Sequence, residues 1–316
     1  MRHMAALYLA DMETLDLETG VFCAHCRPGF SHHIPTSPRR STHVERRSVL
    51  SAARQSDNPN PNKQVAVHGL SVRFGATEAI RDVHLSVAEG EFVALLGPSG
   101  CGKSTLLNVI AGLIEPDSGQ IELRGIDSNS RLGHLAYMPQ RDALLPWRTV
   151  LDNAILGLEV AGRDRQQARE QARELLPRFG LETFGDSYPS ALSGGMRQRA
   201  AFLRTVLSEQ PVMLLDEPFG ALDALTRRAM QEWLLDLWTD LGRTILMVTH
   251  DVEEALLLAD RVAVMTARPG RIKLVEKVRL PRPRNADMIG DPEFVAQKLQ
   301  LLSALRGEMA PIGGRS

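Results

Sequence analysis

The sequence predicts an α/β protein centred on a mainly parallel sheet with helices packed against it. Three observations predict it. Four short apolar runs, "FVALLG", "HLAYMPQ", "PVMLLDEP" and "TILMVTH", are bounded and two-sidedly apolar, as strands buried on both faces are. Each run ends in a group able to do chemistry: a glycine-rich loop from Gly97, then Gln140, Asp216 with Glu217, and His250. Between Arg141 and Ser193 the pattern becomes helical instead. Open α/β sheets bind ligands at the carboxyl ends of their strands, so one sheet edge is expected to collect all four groups.

The bulk numbers fit that class. The chain has 316 residues, 43% hydrophobic and 24% charged, with a formal net charge of −1. That is enough apolar material for one large domain or two modest ones. A near-neutral balance argues against a surface built for nucleic acid. Three cysteines, Cys23, Cys26 and Cys101, make no disulfide framework and point to a reducing compartment. The richest apolar region, "TILMVTHDVEEALLLADRVAVM", is broken by His250, Asp251, Glu253 and Glu254, short of the roughly 20 apolar residues of a membrane helix. "MAALYLADME" is too short an apolar run for a secretory signal. The expectation is a cytoplasmic protein.

In chain order, residues 1–62 mix Ser, Pro, Arg, His and Asn without a sustained period and read as a disordered extension or a mis-assigned start. Cys23 and Cys26 have metal-like spacing with His32 and His33 nearby. A closed zinc site needs four ligands held by a fold, and two Cys in a structureless tail are more often an accident of spacing than a metal site. From Val65, "VAVHGLSVRF" and "VHLSVAEGEFVALLG" read as strands with a turn at Glu89-Gly90. In the helical stretch, Ala168, Ala172, Leu175, Leu176 and Phe179 form one apolar stripe. This marks an inserted helical subdomain over about residues 141–200. A further helix runs from about Thr226 to Leu241, with Met230, Trp233, Leu234, Leu237 and Trp238 on one face, and stops at Gly242. The main domain is assigned to 63–285 and a helical tail to 286–316.

The chemistry is densest at "GPSGCGKST". Gly97, Gly102, Lys103 and Ser104 fit G-x-x-x-x-G-K-[ST] between a strand and a helix. The loop from Gly97 through Pro98, Ser99, Gly100, Cys101 and Gly102 to Thr105 would wrap phosphates with backbone N–H groups. Lys103 would reach the β/γ oxygens, and the Ser104 hydroxyl would bind Mg²⁺. By average composition such a match arises in about one chain in a hundred of this length. Asp216 would hold the metal and Glu217 would polarise the attacking water; helix capping or a surface pair is the alternative. Gln140 would sense metal and water and His250 would touch the γ-phosphate, unless one merely opens a loop and the other precedes an N-cap at Asp251. Phe74 reads as a face for adenine, with core packing as its competitor. A second glycine-rich helix start, "LSGGMRQRA", follows the first by about ninety residues, yet the chain has only one loop lysine to serve a nucleotide.

The order "GPSGCGKST", Gln140, "LSGGMRQR", "MLLDEP", "ALD" ending at Asp223, and His250 resembles the nucleotide-binding subunit of an ABC transporter over roughly residues 64–280. The resemblance implies a P-loop NTPase core with a RecA-like sheet, an antiparallel β subdomain and an inserted α-helical subdomain. It implies ATP and Mg²⁺ as cofactors, and a head-to-tail dimer in which Ser193, Gly194 and Gly195 serve ATP held by a second copy, with Asp223 a further nucleotide contact. "DALLPWRTVLDNAILGLEVAG", "FGALDALTRRAMQEWLLDLW" and "RPGRI" look like the nitrate/sulfonate/taurine importer group, and "YMPQRD" leans toward its pyrimidine-precursor members. The implied partners are an integral membrane permease pair and, indirectly, a periplasmic or lipoprotein solute-binding protein. The implied place is the cytoplasmic face of the inner membrane, peripherally bound. Leu145, Pro146 and Trp147 are the candidate permease-docking surface, with packing inside the insert as the alternative. An exporter cassette is the main rival. A soluble DNA-repair ATPase would separate the two glycine motifs by long coiled coils, and a GTPase would need an N-K-x-D motif that "NKQV" does not supply.

Overall fold

The structure, a computed structural model, describes residues 63–126, 131–306 and 308. The extension over residues 1–62, with its Cys23 and Cys26 spacing, lies outside the described residues. Among the described residues, nine strands form two sheets. β1 (Lys63–Phe74), β2 (Thr77–Ala88) and β4 (Ser118–Leu123) make a three-stranded antiparallel sheet in the order β2-β1-β4. The second sheet adds β3 (Phe92–Leu96), β5 (Ala136–Met138), β6 (Val212–Asp216), β7 (Thr244–Val248), β8 (Arg261–Met265) and β9 (Ile272–Lys277). Its order is β5-β6-β7-β3-β8-β9, parallel except for the last pair. The turn at Gly90, at φ +71, therefore carries the chain from one sheet into the other.

β3, β6 and β7 are buried at every position, which is why they read as unbroken apolar runs. Their alternate side chains feed two cores. Phe92, Ala94, Met213, Leu215, Ile245 and Met247 face the helical side. Val93, Leu95, Val212, Leu214, Leu246 and Val248 share the other core with helix α1 (Lys103–Ile110) and the antiparallel sheet. Full burial of each such side chain is worth roughly 1.5–3 kcal/mol, so the period-2 alternation fastens both layers to one sheet.

The insert consists of α2 (Val150–Ala154), α3 (Leu156–Val160) and α4 (Arg165–Leu175), followed by a 3-10 turn over Leu176–Phe179. The α-helix gives way where Pro177 enters, and the expected stripe buries Ala168, Ala172, Leu176 and Phe179. α5 (Gly194–Leu207) and α6 (Ala224–Leu241) complete the layer. α5 runs past residue 200, so the insert does not end there. Trp233 of α6 packs edge-on against Phe179 (4.6 Å between centroids) and Phe202 (5.7 Å), tying the insert into the sheet's own core. Gly242 stops α6 in the left-handed region, at φ +57.

α7 (Val252–Leu258) follows β7, and α8 (Pro292–Arg306) is the helix expected in the tail. α8 is no separate unit: Phe294 and Leu301 are fully buried in the core that α7 helps to build. Arg284 fastens this region by donating to the carbonyls of Leu280 (3.1 Å), Leu256 (3.0 Å) and Ala259 (2.5 Å). No helix among the described residues is long and apolar enough to cross a membrane.

Candidate active site at the carboxyl edge of the sheet

Because β3, β5, β6 and β7 run parallel, the segments that follow them emerge on one edge. After β3 the chain turns through Gly97–Gly102 into α1. Gly102 has φ +105, and a Cβ there would meet Ile80 Cγ2 at 2.5 Å and the Ala79 carbonyl oxygen at 3.0 Å, so glycine is required. Gly102 is also the N-cap of α1 and offers no side-chain hydrogen bond, so the first amides of the helix are left for an anion. Lys103 is only 7% exposed. Its ammonium donates to the carbonyls of Gly97 (2.8 Å) and Pro98 (3.0 Å), which hold it across the loop.

A cavity of about 550 Å³ opens over this loop. Ser99, Gly100, Gly102, Lys103, Ser104 and Thr105 form its floor, and Phe74, Gln140, Glu217 and Arg268 contribute walls. Gly97, Pro98 and Cys101 shape the loop without lining the cavity. Cys101 is buried below it, its thiol pKa pushed up by burial, and its N–H donates to the Pro98 carbonyl at 3.3 Å. Phe74 is 48% exposed at the cavity wall, which removes core packing as an account of it.

Asp216 ends β6 and is 2% exposed. Burial pushes its carboxyl above the usual carboxylate range; a hydrogen bond with Ser104 pulls the other way, the Glu217 charge pushes up, and Lys103 pulls down. One of its oxygens, Oδ1, is buried without a hydrogen-bond partner. A buried, orphaned carboxylate oxygen beside a phosphate-loop hydroxyl is a donor set that a divalent cation would satisfy. Among the described residues no group of three or more His, Cys, Asp or Glu is placed to hold a metal ion by itself, so the hydroxyl of Ser104 and the amide of Gln140, which line the cavity, would have to join Asp216.

Glu217 has φ +49, a strained backbone for a residue other than glycine. Several contacts fix it. Its N–H donates to the Val248 carbonyl (3.0 Å), and its carbonyl accepts from Gly220 N–H (3.1 Å) and from Gln198 Nε2 (2.9 Å). Its carboxylate accepts from Gln140 Nε2 at 3.2 Å and lies 3.6 Å from His250 Nδ1. Gln140, Asp216, Glu217 and His250 thus come together at the loop lysine's edge, as expected from the strand ends.

The second glycine-rich start behaves differently. Ser193 caps α5, its hydroxyl accepting from the Met196 N–H at 3.3 Å, and Ser193 and Gly194 are exposed. None of Ser193, Gly194 and Gly195 lines the cavity. Asp223 likewise caps α6, accepting from Thr226 N–H at 3.0 Å, and hydrogen bonding to Thr226 holds its carboxyl below the usual range. These four expected nucleotide contacts lie apart from the cavity of their own chain.

Sequence reasoning missed two buried amides. Gln198 bridges the Glu217 carbonyl and the Ala221 N–H (2.8 Å). Asn153, fully buried, accepts from Leu145 N–H (2.7 Å) and donates to the carbonyls of Leu145, Arg148 and Thr149, which builds the turn presenting Pro146 and Trp147 to solvent. Trp147 is 61% exposed, so packing inside the insert does not explain it. Only the amphipathic period could have flagged either amide, as a polar residue on a buried face.

Residues 80–220 match the family described as "ABC transporter". The taurine import ATP-binding protein TauB of Yersinia pestis is 42% identical over 244 residues, which is 75% of this chain and 94% of that protein. The aliphatic sulfonates import ATP-binding protein SsuB 1 of Rhodococcus jostii is 46% identical over 239 residues, 75% of this chain and 91% of that one. Among solved structures, the dimeric bacterial ABC transporter cassette MJ0796 superposes with a TM-score of 0.63 at 30% identity, covering 69% of this chain and all of that chain. The same cassette in a post-hydrolysis state bound to ADP and Pi gives 0.62 at 31% identity, again over 69% of this chain. A loop lysine, a strand-end Asp–Glu pair and a spatially separate serine–glycine helix start thus coincide with extensive identity to such cassettes: the chain belongs to the ATP-binding subunits of ABC transporters and is an ATPase.

Proposed function

We propose that this ATPase powers an importer, working as a homodimer on the cytoplasmic face of the inner membrane beneath a separate permease pair. One observation carries the dimeric part: among the described residues a phosphate-loop cavity and an exposed serine–glycine helix start occur in the same chain, and the second does not line the first. Stacked head to tail, Ser193, Gly194, Gly195 and Asp223 of one copy close over the ATP held by the loop of the other. The relatives named for taurine and aliphatic sulfonate import support uptake of a small solute of the nitrate, sulfonate, taurine or pyrimidine-precursor type. A solute-binding protein delivers it to the permease. Trp147 and its neighbours dock the permease, since an exposed aromatic on a braced turn is a suitable anchor.

In this reading the loop amides and Lys103 bind the phosphates, and Phe74 stacks on the base. Glu217 takes a proton from the attacking water, with Gln140 and His250 setting its carboxylate from either side. Ser104, Gln140 and Asp216 would hold Mg²⁺, which neutralises charge developing on the transferred phosphoryl group. ATP binding closes the dimer and product release reopens it, passed to the permease as a rigid-body switch.

Glu217→Gln should lower turnover by roughly 10²–10⁴-fold while ATP still binds. Cells lacking the native gene and carrying this variant should lose uptake of labelled sulfonate, taurine, nitrate or pyrimidine precursor. Normal hydrolysis by the variant would remove Glu217 from the mechanism. Unimpaired uptake of every solute with loss of an efflux activity would replace import by export.

A further inference from the structure

The "RPGRI" stretch marks a likeness to one transporter group, but no role in the site has been assigned to it. It lies in the connection between β8 and β9, residues 266–271. That connection is internally braced. Thr266 N–H donates to the Arg271 carbonyl (2.9 Å), and Arg271 N–H donates back to the Thr266 hydroxyl (3.0 Å). It is also docked onto the phosphate loop and β2. Gly270 N–H donates to the Ala79 carbonyl, and the Gly270 carbonyl accepts from Arg81 N–H, both at 2.9 Å. A Cβ on Gly270 would lie 2.0 Å from the Cys101 carbonyl oxygen, so only glycine allows the connection to sit this close to the loop.

The consequence is the position of Arg268. Its Nε donates to the Gly100 carbonyl at 3.0 Å, and the residue lines the same cavity as Lys103, Ser104 and Phe74. Arg268 is exposed and forms no salt bridge among the described residues. Its terminal nitrogens have no hydrogen-bond acceptor among them either. A guanidinium pinned by one N–H presents its remaining donors as a rigid planar fork, a geometry that matches phosphate oxygens.

We propose that Arg268 is a second cation for the nucleotide's phosphates, delivered to the mouth of the cavity by the docked connection and complementing Lys103 at its floor. This rests on the reading of the cavity as the ATP site. The competing role is structural, a prop for Gly100 with no contact to ligand.

Calorimetric titration of the full-length protein with ATP, ADP and adenosine separates these roles. Arg268→Gln keeps an N–H donor for the Gly100 carbonyl and removes the charge. It should weaken ATP and ADP about tenfold, leave adenosine binding unchanged, and keep the nucleotide-free Tm at the wild-type value. Arg268→Lys should recover part of the affinity, because it restores charge without the fork. The salt dependence of ATP affinity should flatten in Arg268→Gln and not in Arg268→Lys. Wild-type ATP and ADP affinity in Arg268→Gln would overturn the proposal, as would equal weakening of adenosine with a lowered Tm. Lys103→Ala serves as the control for the cavity itself: if it leaves ATP affinity intact, the site reading fails. If only Arg268→Gln is silent, this proposal alone fails.

Discussion

Two helix starts in this molecule share glycines and outward-pointing amides but differ in what surrounds them. At α1 the N-cap is a left-handed glycine without a side-chain bond; a buried lysine and the strand-end Glu217 line the same cavity, and Asp216 is hydrogen-bonded to Ser104 of its floor. At α5 the N-cap is Ser193, whose hydroxyl is engaged with Met196 N–H, on an exposed surface. Both ends carry the partial positive charge of a helix N-terminus, yet only the first lies in a walled cavity with a buried lysine at its floor; beside the second, Arg197 is paired with Asp142. A helix start becomes a site through what the rest of the fold brings to it. In the proposed homodimer the partners missing at α5 come from the second copy, and the similar cassette MJ0796 is itself dimeric.

The largest effect expected is all-or-none and tests that comparison directly. Lys103→Ala removes the cation from the first start, and Gly195→Asp puts a carboxylate at the second, where a phosphate has to approach. Each homodimer should be inactive. Mixed, they should regain phosphate release, because the intact loop of one chain then meets the intact helix start of the other. A double variant paired with wild type reverses the arrangement and should leave no whole site in the heterodimer. Activity in that control heterodimer with none in the first mixture would mean that the α5 start serves its own chain, and the comparison would break.

Most of the first start was legible in the sequence because local rules specify it. The glycine spacing, Lys103 and the buried strand ends each carry a local signature, and the parallel sheet then brings Gln140, Asp216, Glu217 and His250 to one edge. Less legible were elements whose identity depends on neighbours. β4, "SGQIEL", buries only Ile121 and Leu123 and contains Gly119 at φ +97, so its pattern is too polar to stand out. β8 and β9 were hidden because "RVAVM" continues an apolar stretch already interrupted by charge, and β9 is half-buried at best. Gln198 and Arg268 act through tertiary contacts with segments 19 and 168 residues away, which no local period encodes.

Gln198 sharpens the comparison, since it gives the α5 helix a role within its own chain one turn beyond its exposed start. It clamps both ends of the turn from Glu217 to Ala221 and thereby supports the strained backbone of the glutamate proposed as general base. Gln198→Leu keeps the volume and removes both bonds. Turnover should fall by about 10²-fold, the scale of a small misplacement of a reacting group. ATP affinity should hold, because the phosphate loop is untouched. The lost bonds should also cost on the order of 1–3 kcal/mol in urea denaturation. Steady-state kinetics alongside equilibrium ATP binding decide the matter: weakened ATP binding with normal turnover would assign Gln198 to the nucleotide instead.

The smallest effect concerns a third helix start, α7, which supplies the contrast of a closed end. There Asp251 accepts from Glu253 N–H (2.8 Å) and Glu254 N–H (3.3 Å), so the amides are already occupied by a carboxylate of the same chain. Below it, Glu254 is 7% exposed, with Oε1 buried and unpartnered, and its carboxylate accepts from the Thr249 hydroxyl. Burial pushes its pKa up to about 7, against a hydrogen bond from Thr249, with the Asp251 charge adding to the rise. An unfolded glutamate titrates near 4.5, so between that pH and about 7 the native state holds a proton that the unfolded chain has lost. Stability therefore falls as pH rises through this window, and above it the full cost, on the order of 3 kcal/mol, is present. Glu254→Gln retains the shape of the protonated acid and cannot ionise. It should match wild type in chemical denaturation at pH 5 and exceed it at pH 8, while the Tm increment from ATP stays the same in both proteins. A stability gap that does not change with pH would show that Glu254 is not protonated in the native state. A changed ATP increment would show that this third start, too, communicates with the nucleotide.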